Sequence, residues 1–157
     1  MKLEIPKYRL SIKFRLIALA AVLLLTIGLV SACKVPEPDN SSGPPPSIDN
    51  GVEVVYFHRA QRCTACTRAQ EMTEYTLNTC FADELESGEI VFMALNLQDS
   101  ANADMVQKFG AYTSSLFLND VEDGTNDIEE ITDIWFLLWK DEEFVNTLKA
   151  DIEDRLN

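Results

Sequence analysis

Proline divides this chain into parts with different folding prospects. Five of its six prolines (Pro36, Pro38, Pro44, Pro45 and Pro46) fall in one short stretch, and none occurs between residue 51 and the end at 157. Proline fixes φ and removes a backbone donor, so a segment this dense in it cannot sit inside a helix or a central strand. Residues 34–50 add Ser, Asn and Gly between the prolines. Such a stretch has nothing to bury and reads as an extended tether, about 3 Å per residue and on the order of 50 Å long. Residues 51–157 are free of such breaks and show no internal repeat. They form one domain, long enough to bury a core without staples.

Upstream of the tether the charge changes sign. The chain carries 13 Lys plus Arg against 26 Asp plus Glu, a formal net charge of -13. Residues 1–32 nevertheless hold five bases (Lys2, Lys7, Arg9, Lys13, Arg15) and one acid, Glu4, which leaves eight bases and 25 acids beyond them. An uncharged apolar run follows the basic flank over residues 16–30 and ends in small residues, the layout of a secretory signal. Its last residues, Val30-Ser31-Ala32-Cys33, resemble the lipobox of bacterial lipoproteins. That resemblance implies that 1–32 is a signal peptide and that Cys33 is lipidated as the first mature residue. The tether at 33–50 would then hold the domain off a cell membrane. The competing reading is an uncleaved helical anchor, since residues 16–33 supply 18 of the ~20 apolar positions a span needs. Either way the positive flank stays inside and the acidic domain lies on the extracytoplasmic face. So acidic a domain has no basic footprint for nucleic acid.

Within 51–157, residues 52–58 are β-branched and aromatic, as a short buried strand requires. From Cys63 to about Leu85, apolar residues recur at three- and four-residue steps, which predicts one helix stopped by Gly88. Residues 90–97 are almost continuously apolar, the expectation for a central strand covered on both faces. A helix over 102–109, a strand over 115–119, a polar turn over 120–126, a return strand over 128–132 and a last helix over 141–156 complete the chain. The order β-α-β-α-β-β-α predicts an α/β domain with a mixed four-stranded sheet between helices.

The chemistry candidate is Cys63-Thr64-Ala65-Cys66. A lone C-x-x-C marks a zinc half-site, a structural disulfide or a redox pair. Position sharpens it, because the first cysteine opens the first helix, where unpaired N–H groups and the dipole stabilise a thiolate. The second, one turn on, is placed to resolve a mixed disulfide. Arg59, Arg62 and Arg68 lie around the pair in sequence, and no acid lies between Glu53 and Glu71, so cationic neighbours are expected to favour the thiolate further.

Strand, C-x-x-C at a helix start, strand, helix, hairpin and final helix is the order of the thioredoxin fold. The stretch IVFMALNLQD at 90–99, with KFGAY at 108–112 and SLFL at 115–118, resembles the centre of a thioredoxin. The opening VYFHRAQRCTAC at 55–66 is similar to thioredoxin-like lipoproteins labelled as accessory subunits of nitrophenyl-compound nitroreductases. The resemblance implies a thioredoxin-like domain with Cys63 attacking and Cys66 resolving, and no cofactor. Its partners would be protein thiols or disulfides, or a neighbouring membrane-bound or extracytoplasmic enzyme. Two departures stand out. Thr113-Ser114-Ser115 occupies the place of the family's cis-proline, and Tyr56 and Phe57 fill the strand positions of its buried acid. Both weaken the case for general disulfide reduction, and the hydroxyl-bearing loop favours metal capture.

Two rival functions follow from the same residues. One is a thiolate metal module, for instance for copper(I), using Cys63 and Cys66 with or without His58. The other is a non-catalytic adaptor whose cysteines form an inert disulfide. His58, the only histidine, is expected as a hydrogen-bonded structural residue at a strand end. Cys80 lies about 21 Å along the helix from Cys66 and reads as a buried core thiol. Trp135, Phe136 and Trp139 are expected in the core.

Overall fold

The computed structural model describes residues 48–156. The expected signal peptide, the expected lipidation site Cys33 and nearly all of the expected tether lie outside those residues. Four strands and five helices follow one another: β1 Gly51–His58, α1 Thr64–Cys80, α2 Ala82–Ser87, β2 Ile90–Asn96, α3 Ala103–Phe109, β3 Ser115–Glu122, β4 Thr125–Glu130, α4 Ile134–Leu137 and α5 Asp141–Glu153. A 3₁₀ turn, Ser100–Asn102, leads into α3. The sheet order is β2-β1-β3-β4. β1 runs parallel to β2, with Val52 opposite Ile90 and His58 opposite Asn96. It is antiparallel to β3, with Val55 opposite Phe117, and β3 is antiparallel to β4.

β1 sits in the middle because both of its faces are apolar, and the strand period of two sends alternate residues to two cores. Val52, Val54 and Tyr56 face α1 and α5, joining Ala69, Met72, Leu77, Phe144, Leu148 and Ile152. Val55 and Phe57 face the other way, with Met93, Phe109, Ala111 and Phe117. On that side Phe57, Phe109 and Phe117 form a triad with centroids 5.6 to 5.8 Å apart, tilted or edge-on as ring quadrupoles favour. The exception on β1 is Glu53, a carboxylate only 2% exposed. It is held by Lys108 Nζ at 2.8 Å and Asn119 Nδ2 at 2.7 Å.

The mixed four-stranded sheet between helices agrees with the sequence reading, but several placements differ. β2 is an edge strand, not a central one. Its long apolar run reflects cover on its faces by helices, since β1 is its single partner in the sheet. The helix expected over 63–85 is two helices. Phe81 leaves helical geometry (φ -136°, ψ 34°) and is 2% exposed, so burying its ring takes precedence over continuing the helix. The hairpin turns at Asp123-Gly124, whose φ values of 50° and 77° let two strands meet across two residues. β3 and β4 therefore extend through polar residues placed in the turn by sequence. The aromatic cluster expected in the core is mostly outside it. In α4 and just after it, Ile134 and Leu138 are buried, Trp135 is half-buried, and Phe136 and Trp139 are 82% and 70% exposed. Among the described residues no helix is long and apolar enough to cross a membrane.

Candidate active site

Cys63 is the N-cap of α1, in extended geometry, and its Sγ accepts the N–H of Cys66 at 3.1 Å. A helix start leaves four N–H groups without partners, and a sulfur at the cap position meets one of them. The carbonyl of Cys63 accepts Thr67 N–H at 2.9 Å, closing the first turn. Cys63 and Cys66 form a disulfide with their Cα atoms 5.1 Å apart. As a residue Cys63 is exposed and Cys66 is half-buried, and both line the surface groove. The first turn of α1 carries no acid to oppose a thiolate there.

Beneath the pair lies Tyr56, fully buried, whose hydroxyl donates to the Cys66 carbonyl at 2.7 Å. Burial pushes its phenol above the ordinary value, and the nearby Arg62 guanidinium pulls it back by less. The residue noted in sequence as replacing an acid thus acts as a neutral donor. It ties the helix start to β1, a contact no spacing in the sequence announces.

The sulfurs open onto a groove of about 430 Å³ lined also by Arg59, Gln61, Thr113, Ser114 and Trp135. Trp135 arrives from α4 and was missed as a site residue; the aromatic cluster at 135–139 was its signal. The loop in the cis-proline position contains no cis peptide bond, and Ser115 Oγ donates to the Thr113 carbonyl at 2.9 Å. Of the three arginines expected around the pair, Arg59 alone lines this groove. Arg62 donates to Gln70 and lies over the Tyr56 ring. Arg68 donates to Asp141 at 2.5 Å and to the Leu138 carbonyl, and lies over Trp139. Arg68 is thus committed to an ion pair, and Arg62 to a neutral amide and a ring face.

His58 has its Nδ1 3.0 Å from the Arg59 carbonyl, which accepts a hydrogen bond and fixes the proton on that nitrogen. Among the described residues no three His, Cys, Asp or Glu side chains gather as a ligand set. His58 therefore does not join the two sulfurs in a three-ligand site. Cys80 is a free thiol, half-buried against the larger core rather than sealed within it.

The parallel β1–β2 crossover, the antiparallel β3–β4 hairpin and the cysteine pair at the start of α1 define a thioredoxin-like fold. No protein-family model matches the chain, and no curated protein does. Solved structures do. The Trx4 domain of ERdj5 overlaps 69% of this chain and 82% of its own, with 19% identity and a TM-score of 0.48. Thioredoxin O2 from Arabidopsis thaliana in the oxidised state overlaps 69% and 77%, with 14% identity and a TM-score of 0.44. An uncharacterized thioredoxin-like protein from Clostridium perfringens overlaps 77% and 90%, with 12% identity and a TM-score of 0.46.

Proposed function

We propose that this protein exchanges thiols and disulfides through Cys63 and Cys66, tethered by Cys33 to the extracytoplasmic face of a membrane. The observation that carries the reading is a closed disulfide whose more exposed residue, Cys63, occupies a helix N-cap. In the oxidised form, a partner thiolate attacks Cys63 Sγ, the Cys63–Cys66 bond breaks, and Cys66 leaves as a thiolate. A second partner thiolate then attacks the first partner sulfur and closes the partner's disulfide. Cys63 departs as a thiolate stabilised by the helix dipole and the Cys66 N–H. Two electrons pass to the pair, and the thiols' protons go to solvent. Run backwards, Cys63 attacks a partner disulfide and Cys66 resolves. Protein thiols or disulfides, or a neighbouring reductase that takes the protein as an accessory subunit, supply the other half of the couple.

The test is a Cys66→Ser variant expressed in cells. It leaves Cys63 able to attack and unable to be resolved, so partners accumulate as DTT-sensitive adducts on Cys63. A Cys63→Ser, Cys66→Ser double variant shows none. Absence of DTT-sensitive adducts on Cys66→Ser refutes the reading.

A further inference from the structure

Among the described residues, one cation has no side-chain partner, and it stands in the wall of the sulfur groove. Arg62 bonds Gln70, Arg68 pairs with Asp141, Lys108 with Glu53, Lys140 with Glu143, Lys149 with Glu153, and Arg155 with Glu129. Arg59 is exposed and has none. Acids outnumber bases about three to one beyond residue 32, so carboxylates to pair with it are plentiful elsewhere on the surface. Its main chain is nevertheless pinned. The His58 ring bonds the Arg59 carbonyl, and the next N–H, that of Ala60, donates to Gln98 Oε1 at 3.0 Å. The backbone is fixed while the guanidinium is left available to an external ligand.

Its position says which ligand. Arg59 lines the groove holding both sulfurs, and also a second hollow of about 390 Å³ formed with Gln98, Ala111 and Tyr112. It is therefore shared by two depressions, one of which also holds both sulfurs. In the disulfide form both sulfurs are neutral, so the cation faces no anion of its own chain. A guanidinium presents a planar fork of donors matched to a carboxylate.

We propose that Arg59 selects partners carrying an Asp or Glu carboxylate next to their reacting cysteine, on an extended polypeptide segment lying across the two hollows. The inference rests on the exchange reading above. The domain's overall negative field slows any acidic partner from a distance. Arg59 acts only at contact, so the preference depends on where the carboxylate is, not on the partner's net charge.

Two dithiol peptides of identical composition separate these effects, one with Glu beside the reacting cysteine and one with Glu at the far end. Each is oxidised by the disulfide form of the full chain, and each rate is divided by that peptide's rate with 2-hydroxyethyl disulfide, which removes differences in thiol pKa. The adjacent-Glu peptide should be faster by about two- to fivefold at low salt, the range of an exposed ion pair. The ratio should fall to about one in Arg59→Gln, survive in part in Arg59→Lys, and vanish in ~0.5 M NaCl. A ratio of one in the wild type, or a preference undiminished in Arg59→Gln, overturns the proposal. If neither peptide nor a neutral dithiol such as DTT reduces Cys63–Cys66, the exchange reading fails and takes this one with it.

Discussion

Replacing Tyr56 with Phe removes one oxygen from beneath the sulfur pair and leaves the buried ring in place. That hydroxyl donates to the Cys66 carbonyl at 2.7 Å. The same peptide unit contributes the Thr67 N–H, which donates to the Cys63 carbonyl at 2.9 Å. One plane at the start of α1 is thus held from both sides, and Phe releases one of them. A neutral hydrogen bond of this kind contributes about 1 kcal/mol net. In a domain of this size, ~1 kcal/mol corresponds to about 4–8 °C in Tm. The effect also carries a pH signature. Burial raises the Tyr56 phenol above its ordinary value in the folded protein. In the unfolded chain it ionises near pH 10. The folded state then holds the proton longer, so stability is full below that pH and falls as pH rises through and above it. Phe cannot titrate. Urea midpoints should therefore show the wild type more stable at pH 8, with the gap narrowing by pH 10.5. No gap at pH 8, or a gap that stays constant, would refute the account of Tyr56 as a buried neutral donor.

Two further outcomes follow from the fold. Gly51 has a φ of 126°, and a Cβ there would lie 2.2 Å from the Glu89 carbonyl oxygen that Val52 N–H bonds. Gly51→Ala should lower stability by about 2–3 kcal/mol in urea titration, and an unchanged midpoint would show that the β1–β2 entry relaxes freely. Asp151, in the last turn of α5, has its carboxyl raised by burial, reinforced by the nearby acids Glu129, Asp133 and Asp154 against the pull of Arg155. Its ionisation therefore weakens the folded state as pH rises from the ordinary carboxylate value through the raised one. Asp151→Asn should increase Tm at pH 7 and leave it unchanged at pH 3; a gain of equal size at both pH values would contradict this.

Much of the fold was legible locally. The β-branched run at 52–58, the apolar run at 90–97 and the striped final helix each carry their own periodicity, and their order permits few topologies. Element ends were less legible, because they depend on competition between local geometry and distant packing. Phe81 breaks a helix that its neighbours would continue, since the core takes its ring. Asp120 and Glu122 look like turn residues, yet they lie in β3 because Asp123-Gly124 supplies a tighter reversal.

The sequence by itself determined that two cysteines stand one helical turn apart at the junction of strand and helix. It also determined that the basic flank, the proline-rich stretch and the acidic remainder are separate segments of composition. Those are properties of spacing and composition, which neighbours along the chain settle. The tertiary structure decided which of three nearby arginines is free to act. Arg62 is hydrogen-bonded to Gln70 on α1 and Arg68 is ion-paired with Asp141 at the start of α5, while Arg59 is left lining the groove. It also brought Trp135 to the sulfurs and put the Tyr56 hydroxyl under them. Charge and hydrogen bonding act across space within a few ångströms, so only the folded positions could distinguish a cation lining the sulfur groove from one held elsewhere.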